Sequence, residues 1–333
     1  MSSGWLRLAA PVGSLTPVDV LEALLEGPRA RGAFLLRCLL DSPWSLRIED
    51  EAPLTVLALM RGELWLRPDD GPPSSMTAGQ VAIVPGPAHY TASDGPDTEP
   101  TVVIGPGGEC TDADDSRALR EEWSLGVRTW GHAATSDCDL LVGTYEGHGE
   151  ASRPLLAALP GPVVTDAAAR VNPLVQVLAN EMQVEAPGQR VLLDRLLDAL
   201  LISTLRTWFA GQESAAPGWF RAQHDPVVGP ALSLLHQDVR HPWTVDELAG
   251  RVGASRASLA RRFTTLLGQP PIAYLASWRL ALAADLLVSS DGTIAAIARQ
   301  VGYGTPFSLS SAFKRAYGVS PQEYRTTAAP RAV

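Results

Sequence analysis

The strongest constraint on the fold is an internal repeat in the last hundred residues. Val245, Leu248, Ala249, Val252 and Gly253 recur 49 positions later as Ile294, Ile297, Ala298, Val301 and Gly302. Ser258, Leu259, Phe263, Gly268, Pro271 and Tyr274 recur 50 positions later as Ser308, Leu309, Phe313, Gly318, Pro321 and Tyr324. Such a period marks one supersecondary unit built twice.

Each copy reads as two helices joined by a tight turn containing glycine. Thr244 to Glu247 has the spacing of a capping box, and the next helix starts after Ser255. In the second copy Thr293 starts the short helix, and Thr305-Pro306 supplies an N-cap followed by proline at the first helical position. Gly268 and Gly318, each followed by proline, end the second helices. This is the helix-turn-helix plan, whose second helix enters the DNA major groove. Two copies on a connecting helix, Ile272 to Val288, predict two insertions into grooves that recur every ~34 Å. On the first recognition helix Arg256, Arg261 and Arg262 are spaced to reach base edges and phosphates, with Ala257 and Ala260 near thymine methyl groups. The second helix presents Phe307, Ser308, Ser310 and Ser311 with Lys314 and Arg315, which is poorer in long donors and predicts weaker direct reading. The competing reading is that these charges form only the solvated face of a helical bundle.

Charge distribution separates the two readings. The chain carries a net charge of -9, an average that argues against nucleic acid. Residues 226–333, however, hold 11 Lys plus Arg against 6 Asp plus Glu, a net of +5, while the remainder holds 16 against 30, a net of -14. The repeat is the basic part of an acidic chain, which favours DNA as its partner.

Upstream, AFLLRCLL, WSLRI, LTVLALM, ELWL, QVAIV, TVVI and DLLVGTY between Ala33 and Tyr145 read as strands separated by Gly, Pro and Asp clusters. They predict a small antiparallel barrel or sandwich. Glu109 to Ser136 is acidic and then polar and reads as a long loop without strands. Helical periodicity follows, over Val171 to Met182 and Arg190 to Phe209. Leu192, Leu193, Leu196, Leu197, Leu200 and Leu201 form a broad stripe on the second helix, suited either to its own core or, through Leu193, Leu196, Leu197 and Leu200, to a subunit interface. Gly211 to Pro226, rich in Gly, Ala and Pro, reads as a linker. The expected class is α+β with two domains: residues 1–210, with a β-barrel at about 30–150 and helices at about 154–209; a linker at 211–226; and an all-α double helix-turn-helix at 227–333.

Three cysteines, Cys38, Cys110 and Cys138, are an odd count without CxxC spacing, so neither a disulfide framework nor a zinc cage is encoded. No apolar run approaches the roughly 20 residues that cross a bilayer, and Met1 to Gly13 lacks a basic segment followed by an apolar one. The expectation is a cytoplasmic chain in a reducing compartment.

From Val227 to Arg325 the sequence resembles the AraC/XylS family of transcription regulators. The resemblance rests on Ala312-Phe-Lys-Arg-Ala-Tyr-Gly-Val-Ser-Pro-Gln-Glu-Tyr-Arg325, together with Tyr274, Trp278, Arg279 and Ala283 in the linking helix. Carried over by position, it implies base-facing sites at Arg256, Ala257, Ala260 and Arg261, and at Pro306, Phe307, Ser308, Ser310 and Ser311. Serine at 311 departs from the arginine of many members. The N-terminal part resembles this family's cupin-type sensor, through Gly62-Glu-Leu-Trp65 and Gly79-Gln-Val-Ala-Ile-Val-Pro85.

Metal-dependent cupins use two closely spaced histidines, a glutamate and a later histidine, whereas only His89 stands in that region; His132 and His148 lack the context. No metal, cofactor or catalysis is expected. The barrel would instead hold a small effector against Trp44, Trp65, His89, Tyr90 and Tyr145, although aromatic residues on strands equally suit a core. Thiol oxidation at Cys38, Cys110 or Cys138 is a second sensing route, opposed by the reading of buried inert thiols. The resemblance thus implies a homodimeric DNA-binding regulator that meets RNA polymerase if it activates. The alternatives are a metal-dependent cupin enzyme with a helical appendage and a ligand-independent DNA-binding protein.

Overall fold

The computed structural model describes residues 33–114, 117–132, 135–145, 150, 153–157, 159–165, 172–211 and 217–328. His148 and residues 1–32 lie outside the described residues. The first strands are β1 (Phe34–Leu40), β2 (Ser45–Ile48), β3 (Leu54–Arg61), β4 (Glu63–Pro68), β5 (Ser74–Thr77), β6 (Val81–Pro85) and β7 (Tyr90–Ser93). They are followed by β8 (Val102–Ile104), β9 (Cys110–Asp112), β10 (Ser124–Gly126), β11 (Thr129–Gly131), β12 (Cys138–Tyr145) and β13 (Val163–Val164). One sheet has the order β10-β11-β1-β12-β3-β6-β13 and the other β5-β4-β7-β2-β8-β9.

The two sheets share one core, with Leu40, Leu57 and Leu59 contributed by the first and Leu64, Leu66, Met76 and Tyr90 by the second. Removing each such side chain from water stabilises the fold by roughly 1.5–3 kcal/mol. β3 lies between β12 and β6, so its LTVLALM run is buried from Leu54 to Leu59 rather than alternating.

Pairing is mostly antiparallel, but β1 pairs with β11, and β2 with β8, in parallel. The expected strandless loop at 109–136 instead supplies β9, β10 and β11, short strands recruited by neighbouring edges rather than by their own apolar pattern. Cys110, Leu119 and Trp130 anchor this segment in the core.

Helices α1 (Arg153–Leu156), α2 (Pro173–Met182) and α3 (Gln189–Ala210) follow. The Asn172 side chain caps α2 by accepting the Leu174 N–H at 3.1 Å, with Pro173 in the first turn. α3 lies on the first sheet at Gly143, where a Cβ would meet Leu197 Cδ1 at 2.6 Å. Leu193, Leu197 and Leu200 are accordingly buried in their own domain and Leu196 is half-buried, which favours the own-core reading of this stripe. The exposed apolar residues of α3 are Val191 and Leu192.

The first repeat comprises α4 (Gly218–Gln223), α5 (Val228–Gln237), α6 (Val245–Arg251), α7 (Arg256–Leu267) and the start of α8 (Pro271–Ser289). α4 falls inside the expected linker. Trp219 and Ala222 are buried, and Gly218 packs so closely that a Cβ would lie 1.9 Å from the Leu266 carbonyl oxygen. That glycine serves close packing, not flexibility. The second repeat uses the end of α8 with α9 (Ile294–Gln300), α10 (Pro306–Tyr317) and α11 (Pro321–Ala328). Phe263 meets Tyr274 edge to face at 5.6 Å, and the equivalent Phe313 meets Tyr324 at 5.3 Å.

α8 corrects the expectation about apolar length. It has 19 residues and an 18-residue stretch of mean hydropathy 1.4, long and apolar enough to cross a membrane by composition alone. Yet Leu275, Trp278, Leu280, Ala283, Ala284 and Leu287 are buried within the protein, as expected of a helix shared by two cores.

Candidate nucleic-acid interface and sensor cavity

The recognition helices are fixed at both ends by local chemistry. Ser255 Oγ accepts the Ser258 N–H at 3.2 Å to start α7, and Gly268, at φ 74°, ends it with its N–H on the Thr264 carbonyl. Thr305 and Ser308 form a capping box at the start of α10, and Gly318 ends it at φ 78°. Gly253 and Gly302, at φ 67° and 84°, make the turns that deliver the chain to these helices. At α6 only half of the expected box is seen: Thr244 accepts the Glu247 N–H at 3.2 Å, while the Glu247 carboxylate receives His241 Nε2 at 3.0 Å.

Leu259 and Phe263 bury one face of α7, leaving Arg256, Ala257 and Arg261 exposed and Ala260 half-buried. Arg256 Nη1 donates to Asp246 Oδ2 at 2.9 Å, with both side chains two-thirds exposed. A pair so solvated is worth at most about 1 kcal/mol, so a phosphate can displace the carboxylate. The Arg261 guanidinium has no hydrogen bond or ion pair among the described residues. Arg262 differs: its Nε and Nη2 donate to Asp225 Oδ2 at 3.2 and 2.6 Å. Asp225 Oδ1 also accepts the N–H groups of Val227 and Val228 at the start of α5, and these partners hold its carboxyl below the usual range against the upward push of burial. The expected DNA contact at Arg262 is thus a tie inside the first repeat.

On α10, Leu309 and Phe313 are fully buried, while Pro306, Phe307, Ser311, Lys314 and Arg315 are exposed and Ser310 is half-buried. Phe307 is 80% exposed. The Ser308 hydroxyl is engaged in the cap, donating to the Thr305 carbonyl at 2.8 Å, so it is not an idle donor for bases.

The N-terminal domain contains a cavity of about 540 Å³ between its sheets. Leu36, Leu46, Ile48, Ile104, Trp130 and Val142 line it with Tyr90 and Tyr145. Of the expected pocket residues, those two tyrosines are in place, and the other three do not line the cavity. Trp44 is fully buried in the core, Trp65 is half-buried on β4, and His89 is at the surface, 3.0 Å from Glu51. Tyr145 Oη donates to Asp198 Oδ1 of α3 at 3.2 Å.

Sequence reading missed Arg120, Arg128 and Trp130, which also line the cavity, because they belong to the segment taken as a loop. The two tryptophans of WSLGVRTW, Trp123 and Trp130, were the available signal, and their rings stack at 4.7 Å. Cys38 and Cys110 line the cavity, and all three cysteines are buried free thiols. Burial pushes Cys110 up to about 11 and Cys138 to about 12, and raises Cys38 further with the help of the neighbouring thiols and Asp139. Among the described residues no group of three or more His, Cys, Asp and Glu side chains is placed to hold a metal.

A sandwich with a cavity between its sheets, joined in one chain to two capped helix-turn-helix units, defines a DNA-binding transcription regulator with an N-terminal cupin domain. A cupin family model matches residues 19–210, and a helix-turn-helix domain model matches residues 248–327. The chain is 30% identical over 314 residues to a putative AraC-like transcription regulator of Streptomyces antibioticus, covering 92% of this chain and 98% of that protein. It is 27% identical to the HTH-type transcriptional regulator AlkR of Acinetobacter baylyi, over 92% of this chain and 99% of that one. The DNA-binding domain of AdpA, solved with a target DNA, is 31% identical over 31% of this chain and 92% of its own, with a TM-score of 0.30. The chain belongs to the AraC-like transcription regulators.

Proposed function

We infer that the protein is a homodimeric, sequence-specific activator in the cytoplasm, whose sensor cavity takes a small effector and whose two recognition helices read consecutive turns of the major groove. The carrying observation is the exposed set Arg256, Ala257 and Arg261 on a helix whose opposite face is anchored by Leu259 and Phe263. Arg261 suits a bidentate contact to guanine, and Arg256 a phosphate or a base edge. The second helix offers Phe307 for apolar contact with thymine methyl groups, and Lys314 and Arg315 for phosphates. Effector control has its support in the largely apolar cavity between the sheets, which a protein reading only DNA has no need of. Thiol oxidation is the second signal, and the buried thiols favour it less than ligand binding. Activation, contact with RNA polymerase and the absence of catalysis follow the family's usual mode of action.

Selection of bound sequences from a random DNA pool by the full-length protein tests this, with and without thiol reductant and at two salt concentrations. Two conserved blocks one helical turn apart are expected, with a duplicated site for the dimer and affinity falling as salt rises. Enrichment of a single block would remove the second reader, and loss of enrichment on oxidation would promote the thiols to sensors.

A further inference from the structure

The cavity's chemistry narrows what it takes. Leu36, Ile48, Ile104, Trp130 and Val142 give it an apolar wall, and about 540 Å³ lies within the range of roughly 300–1,000 Å³ of small-molecule pockets. A sugar or other polyol would leave its hydroxyl groups against this wall without partners, at the cost of their hydration.

The charges at the cavity are not equivalent. Asp50 and Glu51 come from the β2–β3 connection, and both are committed: Asp50 Oδ1 accepts the Ala52 N–H at 3.0 Å, and Glu51 holds His89 at 3.0 Å. Arg120 and Arg128 come from the segment between β9 and β11. Arg128 Nη1 donates to Gln189 Oε1 at 2.9 Å. Arg120 is exposed and makes no hydrogen bond or ion pair among the described residues, yet lies close enough to Cys110 on the cavity wall to act on its thiol. The cavity therefore pairs an apolar interior with two arginines that have no ion pair among the described residues, and of these Arg120 also has no hydrogen bond.

We propose that the cavity binds an amphipathic monoanion, an alkyl or aryl chain ending in a carboxylate, with the chain along the Leu36, Ile104 and Trp130 wall and the carboxylate on Arg120. This rests on the reading of the cavity as the effector site. Arg128 turns occupancy into a signal. It adopts φ 49°, an unusual conformation for a residue with a Cβ, and its partner Gln189 opens α3 and reaches back to the Glu181 carbonyl at 2.7 Å, at the end of α2. A carboxylate on Arg120 places negative charge in the cavity that Arg128 also lines, and so competes electrostatically with the neutral Gln189 for that guanidinium.

Calorimetry and Trp fluorescence on the full chain test this with decanoate, decanol and decylamine, each below its aggregation concentration. Decanoate is expected to bind at least tenfold tighter than decanol and to change Trp fluorescence, with decylamine weaker still. Arg120→Gln, at an exposed position, is expected to bring decanoate down to the level of decanol while leaving decanol binding and the melting temperature unchanged. Equal binding of decanoate and decanol, unmoved by Arg120→Gln, would overturn the anionic class and leave the effector cavity standing. Failure of every decyl probe to bind would overturn the proposal together with the effector reading. Val142→Trp, which fills the cavity from the wall, separates cavity binding from surface adsorption: adsorbed decanoate would persist in it, against the proposal, and cavity-bound decanoate would be lost.

Discussion

Arg262 Nη2 sits 2.6 Å from Asp225 Oδ2, and this pair fastens the recognition helix of the first repeat to the start of the helix at Val228. The two neighbouring arginines of α7 therefore have different tasks. Arg262→Ala is expected to lower stability by about 1 kcal/mol, the upper value for an ion pair that is partly solvent-exposed. Urea unfolding of the full chain checks this; an unchanged midpoint with weakened DNA binding would return Arg262 to the DNA contacts.

Arg261→Ala is expected to do the reverse. Specific binding should weaken by about 1–3 kcal/mol, with preference relaxed at one base pair and the unfolding midpoint unchanged. Titration against the selected site and a random duplex is the measurement. Equal loss on both would show a phosphate contact instead.

His236 is half-buried in the first repeat with Nε2 2.8 Å from Tyr274 Oη, and desolvation of its ring lowers its pKa to about 4 from the usual 6.5. Between those values the unfolded chain takes up a proton that the folded one refuses, so stability falls as pH drops from about 6.5 towards 4. The full effect is on the order of 3 kcal/mol. Urea midpoints taken from about pH 7 to about pH 4.5 should fall less steeply for His236→Gln than for the parent chain, and parallel slopes would contradict the assignment.

Leu197 is 1% exposed and packs on the sheet at Gly143. Leu197→Ala should cost about 2–5 kcal/mol by opening a cavity. Light scattering should show the same assembly state before and after the change. Dissociation without loss of monomer stability would place this leucine in a subunit interface.

The three thiols should be slow in the native protein, because each must ionise inside the core. A disulfide reagent at about pH 8 is expected to reach Cys110 first, since its pKa is raised the least, to about 11. Rapid modification of all three without denaturant would revive oxidation as the signal.

The repeat was legible in the sequence because its information is local and duplicated. Caps at Ser255 and Thr305, glycines at 268 and 318, and the Phe263 and Phe313 core positions are each set within a few residues, and two copies confirm one another. The seven apolar strands were legible for a related reason: runs such as LTVLALM suit a buried sheet wherever they are placed. Tertiary structure decided the rest. β11 has little strand character alone and exists through its pairing with β1, which brings Trp130 and Arg128 to the cavity, while the bridge between Thr111 and Ala118 brings Arg120 there. Gly218 looked like linker until the Leu266 carbonyl stood against it, and Arg262 looked like its neighbour Arg261 until Asp225 arrived from 37 positions away. Helical faces and strand runs follow from side chains spaced along the chain, whereas the partner of a charge, the lining of a cavity and the closeness of a glycine follow from residues that meet only after folding.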